Sequence, residues 1–266
     1  MSSCITSRSE IMHNNLSILL WKELTEAFRS YRILIWVMVC AFFGILSPLS
    51  AYYMPDILAM IGSTQNMVLT LTEVTYRDAV DQYVKNFTQI GSIVMIFLAM
   101  GCVAGEKSDG SLQFLMVRPI TCRSILFSKM LALMVMELLG IGVAAMLCNL
   151  YGRYLFEAFP SALFMQSNLL LLLYLLVVIV MTTSLSAMVS RPVAAGLAAL
   201  GLWLVFSMLG SLGGTGWYSF TTLGSEMIHM VEGFAISYKP FGSAILVMIG
   251  SVIGGLCALR CWEPSN

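Results

Sequence analysis

Chemistry in this chain would have to come from histidine, cysteine, methionine or carboxylate side chains, and their spacing permits little of it. The only histidines, His13 and His229, stand far apart and outside the apolar runs, so neither a Ser/His nucleophile nor a histidine metal site is supplied. Cys257 and Cys261 form a C-x3-C pair with no second pair after it, which argues against structural zinc. Seven cysteines are an odd count, and Cys40, Cys102, Cys148 and Cys257 lie in apolar runs, so a secreted disulfide framework is not indicated. Twenty methionines could in principle suit Cu(I). They are scattered rather than grouped as M-x-x-M, which fits adaptable packing better. Glu137 is the one formal charge well inside a long apolar stretch. An intramembrane carboxylate belongs to a pathway or a pair by default. The alternative is a structural acid that reaches interfacial water or pairs with Lys129 or Arg191. An enzyme working in the bilayer with paired carboxylates would need a second such acid, and the sequence offers none.

The elements that must carry these residues are set by composition. Of 266 residues, 59% are hydrophobic and 11% charged, with fourteen Lys+Arg against fourteen Asp+Glu; mean hydropathy is +0.87. A soluble domain carries roughly 25% charged residues. A strongly basic nucleic-acid binder and an acidic disordered chain are both excluded. Hydrocarbon is the solvent this composition calls for.

Charge-free runs locate the spans, because a central charge costs roughly 2.5–3.5 kcal/mol on insertion. Ile33–Pro55, Asn86–Gly105, Ala158–Ser190, Pro192–Ser225 and Pro240–Leu259 carry no charge, and Met130–Tyr151 is interrupted only by Glu137. Six helices are predicted near 33–53, 88–105, 130–151, 164–189, 193–212 and 241–260, each close to the roughly 20 residues a span needs. Arg191-Pro192 punctuates the longest apolar stretch as a tight turn. The first span starts too far in to be a cleaved signal peptide. With the N-terminus inside, Arg8, Lys22, Arg29, Arg32, Lys107, Arg118, Arg123, Lys129, Arg191 and Arg260 lie on the cytoplasmic side. Arg77, Lys85, Arg153 and Lys239 lie opposite. The positive-inside rule therefore places both termini in the cytoplasm.

Leu16–Tyr31 has Leu16, Leu20, Leu24, Ala27/Phe28 and Tyr31 at helical spacing, with Lys22, Glu23, Glu26, Arg29 and Arg32 largely elsewhere. This pattern predicts an amphipathic helix in the cytoplasmic interface, Trp21 at headgroup depth, or else a simple extension of the first span. The chain thus divides into residues 1–32 and a six-helix membrane domain over 33–266. Outside, Val74–Phe87 has a helical stripe of Tyr76, Val80, Tyr83/Val84 and Phe87, and Met227, Met230, Val231 and Phe234 suggest a helix dipping into the outer leaflet. Asn86-Phe87-Thr88 fits a glycosylation sequon but abuts the second span. Gly196, Gly201 and nearby alanines lay a smooth strip on the fifth helix, equally suited to dimer contact or internal packing.

Glu106–Lys129 is the most distinctive stretch. A turn is predicted at Asp109-Gly110, then a short helix at about 111–117 presenting Leu112, Phe114, Leu115, Met116 and Val117, flanked by Arg118-Pro119 and Arg123. Such a helix could seat in a groove on a soluble partner; an ordinary basic inside loop would share its composition.

In this stretch Glu106, Gly110-Ser111-Leu112, Pro119-Ile120-Thr121, Arg123 and Lys129 resemble the cytoplasmic segment of type-2 ABC exporter permeases, the ABC-2 family. Trp21-Lys22-Glu23-Leu24 and Arg29-Ser30-Tyr31-Arg32 are similar to the opening of these permeases. The resemblance implies an all-α, six-helix membrane fold with an N-terminal interfacial helix (Trp21, Lys22, Glu23, Arg29, Arg32). It also implies a coupling helix after the second span that contacts a separate ATPase (Glu106, Asp109, Gly110, Leu112, Phe114, Arg118, Pro119, Arg123, Lys129), and two permeases facing each other. ATP and Mg would sit on two partner ATPases, since this sequence has no G-x-x-x-x-G-K-[ST] loop. The implied function is the permease subunit of an ATP-driven exporter in the cell membrane, moving an amphiphilic or apolar cargo such as a peptide, lipid or drug, with Glu137 on the path. The alternatives are a secondary transporter or channel without an ATPase, a membrane-embedded enzyme, or a non-transporting anchor. The expected partners are the ATPase, a second permease copy and membrane lipids, not nucleic acid.

Overall fold

The computed structural model describes residues 17–65, 75–112, 121–157, 159–211 and 219–261, and among these every regular element is a helix. Helix α1 covers residues 17–29. It is followed by α2 (Arg32–Gln65), α3 (Tyr76–Asn86), α4 (Ser92–Ala99), α5 (Gly101–Ser108), α6 (Cys122–Leu155), α7 (Ser161–Met188), α8 (Pro192–Ser211), α9 (Leu223–Val231) and α10 (Lys239–Arg260). Six segments are long and apolar enough to cross a membrane: Arg32–Pro55, Tyr76–Ser108, Cys122–Leu155, Ser161–Met188, Pro192–Ser211 and Lys239–Arg260. They coincide with the six runs expected from charge alone. The second is longer than expected at its N-terminal end, because α3 runs through a π-helical turn (Phe87–Gly91) straight into α4.

α7 is the centre of the bundle, with 72% of its most apolar window buried. It packs against α4, α5, α6, α8, α9 and α10. Such a helix can be apolar all round because protein surrounds it. Its polar side chains serve as internal ties. Tyr174 donates its hydroxyl to the Thr88 carbonyl (3.0 Å) and accepts from the Trp203 indole (2.9 Å), joining the second, fourth and fifth spans. The Tyr83 hydroxyl donates to Asn168 Oδ1 (2.8 Å) in a buried aromatic nest with Phe87 and Phe164. Away from water, such bonds matter less for the energy gained than for the penalty their loss would expose.

α2 and α6 approach closely at Gly44. A Cβ there would stand 2.8 Å from the Ala144 carbonyl oxygen, so only glycine lets the two backbones meet, as small residues do between membrane helices. On α8, Ala195 and Ala199 are buried and the Met100 side chain covers Gly196, while Gly201 faces open space. The small-residue strip is thus used at least in part for internal packing.

α3 and α9 follow most of their predicted periodicity. Val80, Tyr83 and Val84 of α3 are buried, as are Met227 and Val231 of α9. Phe234 lies past the end of α9 and is exposed. Asn86 is buried and donates to Ser47 Oγ (3.0 Å), so the sequon asparagine serves as a tie between the first two spans.

Candidate functional site

Two local devices aim the charged residues at the α1 end of the bundle. The first lies between α1 and α2. Residues 30–31 form a turn, and Tyr31 takes φ +59°, a left-handed conformation that costs a non-glycine residue roughly 1–2 kcal/mol. α1 is therefore a separate helix rather than an extension of the first span, and the break folds it against the bundle, where Leu19 is buried.

The second device lies in the second span. The α-helix is interrupted at Met100, between α4 and α5. Ser186 Oγ of α7 donates to the Met100 carbonyl (2.6 Å) and accepts from the N–H groups of Val103 and Ala104 (3.2 and 2.9 Å). One hydroxyl thus bonds three backbone groups around the break, a service hydrocarbon could not supply. Lys107 also donates to the Ala187 carbonyl. Stitched to α7 in this way, α5 holds Glu106 in a fixed direction. At its end, Asp109 N–H bonds to the Gly105 carbonyl and Gly110 takes φ +72°, the left-handed stop that favours glycine. The turn predicted at Asp109-Gly110 is present.

Across from Glu106, Thr121 caps α6 by accepting from the Ser124 N–H (3.2 Å). Two turns further along α6 is Lys129. Its side chain is only 2% exposed, yet it contacts two carboxylates, Glu23 Oε1 at 3.0 Å and Glu106 Oε1 at 2.9 Å. Lys22 of α1 bridges the same two oxygens, at 3.2 Å to Glu23 and 2.9 Å to Glu106. Two ammoniums and two carboxylates therefore alternate around a closed ring, with Glu26 at its edge, 3.8 Å from Lys22.

Alternation is what makes the burial tolerable, because each charge has two opposite neighbours in place of water. Burial of Lys22 works against its charge, but the Glu106 and Glu23 carboxylates outweigh it and hold its pKa above the ordinary lysine value. Oxygens of Glu23, Glu26 and Glu106 lie close enough to share a metal ion, but Lys22 and Lys129 already occupy that space and neutralise it. The ring is an ion-pair clamp joining α1 to α5 and α6, the two helices at either side of the 109–121 segment.

Leu112 is fully buried beside Val103, Ile125, Leu126, Ala187 and Leu259, so the near end of that segment is anchored in the bundle. Asp109 is exposed. Phe114, Arg118, Pro119 and most of the helix expected at about 111–117 lie outside the described residues. Arg123 is exposed on the flank of α6, next to Arg260 and away from the ring. Trp21 is 75% exposed on the outer side of α1, Arg29 is exposed and Arg32 is half-buried.

Lys22 and Glu23 both reach partners on other helices, Glu23 with its side chain 11% exposed and Lys22 with its side chain still 43% exposed. One alternative is corrected. Glu137 pairs with neither Lys129, which the ring engages, nor Arg191; no ion pair holds it among the described residues. It is 1% exposed and its Oε1 lacks a hydrogen-bond partner, as does the nearby Trp36 indole. Trp36 and Cys40 of α2 fill the space above Gly140, one turn along α6 from Glu137.

Comparison with known proteins agrees with this architecture. Residues 17–256 match the profile of the family described as ABC-2 family transporter protein. The "Uncharacterized transmembrane protein YxlG" of Bacillus subtilis (strain 168) is 32% identical over 141 residues, which is 52% of this chain and 54% of that protein. The alignment with that relative thus spans about half of either length.

Proposed function

The chain belongs to the ABC-2 family of transporter proteins, and from that premise we propose that it is the permease subunit of an ATP-driven exporter. Two copies of a separate ATPase bind ATP and Mg and engage two permease copies in the cell membrane, with both permease termini cytoplasmic. The single observation that carries this reading is the four-charge ring of Lys22, Glu23, Glu106 and Lys129. It supports a rigid frame around the segment holding Asp109, Gly110, Leu112, Phe114, Arg118 and Pro119, with Arg123 opening the third span behind it. A push on that segment by a closing ATPase is then passed to α1, α5 and α6 together instead of being absorbed by a loose loop.

The cargo is amphiphilic or apolar. Of the two buried charges on α6, Lys129 is neutralised by the ring and Glu137 stands alone, so the bundle offers little fixed charge with which to bind an ion. Glu137 is the candidate residue on the path.

The test is co-extraction in a mild detergent followed by pull-down on a tag carried by this chain. An ATPase subunit bearing a phosphate-binding loop is expected at one copy per permease, and Arg118→Glu is expected to release it. Recovery of the chain as an isolated oligomer, or unchanged recovery of the ATPase with Arg118→Glu, would overturn the proposal and favour a transporter that works alone.

A further inference from the structure

On α6, Arg123, Phe127, Leu131 and Met134 recur at steps of four, four and three, so they share one face. On α10, Ile249 and Ile253 form a matching stripe that ends at Arg260, and Leu176 and Val180 of α7 floor the gap between the two helices. Two adjoining cavities occupy this gap, of about 630 and 370 Å³, and both are lined by Phe127 and Leu131. The larger is the mouth, with Thr121, Arg123, Ser124 and Arg260 around it. The smaller is a hydrocarbon groove. Among the described residues, no ion pair or hydrogen bond joins Arg123 or Arg260 to another side chain or backbone group, and no acidic residue lines the mouth. Two guanidinium groups at one mouth repel each other until an anion sits between them. From Arg123 to Met134 the stripe covers about 16 Å at roughly 1.5 Å per residue. That is the depth of a single leaflet, half of the roughly 30 Å hydrocarbon core.

We propose that this cleft is a binding site for an anionic phospholipid, its phosphate held between Arg123 and Arg260 and one acyl chain laid along Phe127, Leu131, Ile249 and Ile253. Charge at the mouth and hydrocarbon below it are the two ends of such a molecule, joined in the order the bilayer imposes. A free phosphate would use the mouth and leave the groove without a role. The site lies on the flank of the bundle, apart from the four-charge ring, and does not require an ATPase partner.

The test uses the full chain in a non-ionic detergent, titrated with dioleoyl phosphatidylglycerol, dioleoyl phosphatidylcholine or inorganic phosphate and read by native mass spectrometry. Retention of the anionic lipid is expected to exceed that of the zwitterionic one by on the order of tenfold, two arginines contributing at the membrane surface. Arg123→Gln with Arg260→Gln should erase the preference. Leu131→Trp, which fills the groove and spares both arginines, should lose the anionic lipid. Equal retention of the two lipids, an unchanged preference in the double variant, or displacement of the lipid by millimolar phosphate would overturn the proposal. To guard against a misfolded variant, the unmodified chain is crosslinked to phosphatidylglycerol carrying a photoreactive acyl chain. Adducts are expected on Phe127, Leu131, Ile249 or Ile253; adducts confined to other faces overturn the site.

Discussion

Lys129→Met isolates the clamp, because methionine keeps most of the unbranched stem and removes only the charge. The side chain is 2% exposed and its ammonium touches Glu23 and Glu106 at 3.0 and 2.9 Å. Its loss leaves two carboxylates, each 11% exposed, sharing one remaining cation. Breaking a buried pair by removing a single partner costs about 3–5 kcal/mol. Lys22 still bridges both oxygens and is 43% exposed to solvent, which puts the expected loss at the lower end, about 3 kcal/mol. For a chain of this size about 1 kcal/mol shifts Tm by roughly 2–4 °C, so the apparent midpoint in detergent should fall by about 6–12 °C at a fixed scan rate. Lys22→Met removes a charge that water already screens in part, and should cost about 1 kcal/mol or less. Adding Glu106→Gln to Lys129→Met rebalances the charge and should recover about 1 kcal/mol or more of the loss. Thermal unfolding followed by intrinsic fluorescence measures all four proteins. A Lys129→Met midpoint within about 2 °C of the parent, or equal to that of Lys22→Met, would refute the clamp.

Other consequences are independent of that ring. Gly44→Ala places a Cβ 2.8 Å from the Ala144 carbonyl oxygen and should cost about 1–3 kcal/mol, whereas Gly142→Ala on α6 meets nothing within 4 Å and should cost nothing or stabilise by up to about 1 kcal/mol; midpoints of the two variants decide it. Ser186→Ala removes the hydroxyl that bonds the Met100 carbonyl and the Val103 and Ala104 N–H groups; a loss of about 1–3 kcal/mol is expected, with faster amide exchange at Val103 and Ala104. Tyr174→Phe strands the Trp203 indole and should also cost about 1–3 kcal/mol, visible as a changed Trp203 emission in a background lacking the other tryptophans. Lys22 has a raised pKa, so its contribution is complete below the unfolded lysine value of about 10.4 and fades only as pH climbs through the higher folded one. The midpoint difference between the parent and Lys22→Met should therefore stay flat from about pH 6 to pH 9.

The spans were legible because hydrocarbon is an unforgiving solvent: a run such as Pro192–Ser225 without one charge has few other homes. Local turn chemistry was legible too, since Asp109-Gly110 needs only its own backbone to stop a helix. The charged ring was not. Lys22 and Glu106 are 84 residues apart in sequence, and Glu23 and Lys129 are 106 apart. Periodicity on α1 ranks charged side chains as solvated and carries no term for an opposite charge arriving from another helix. All four residues stand out through the family resemblance, but as two separate sets. The break at Met100 was hidden for the same reason, because the hydroxyl that permits it belongs to Ser186 on another helix. Arg260 is merely a basic residue at a helix end until Arg123 is placed beside it.

Transmission through the clamp is the central claim, and ATP hydrolysis by the purified complex in proteoliposomes tests it most directly. With the parent chain, the associated ATPase should turn over in a membrane-dependent way. With Lys129→Met and Glu106→Gln together, the two subunits should still purify at one-to-one stoichiometry while turnover falls by on the order of tenfold, a loss of roughly 1.4 kcal/mol in the rate-limiting step. Hydrolysis that is indifferent to the ring variant, in a complex that assembles normally, would contradict the account.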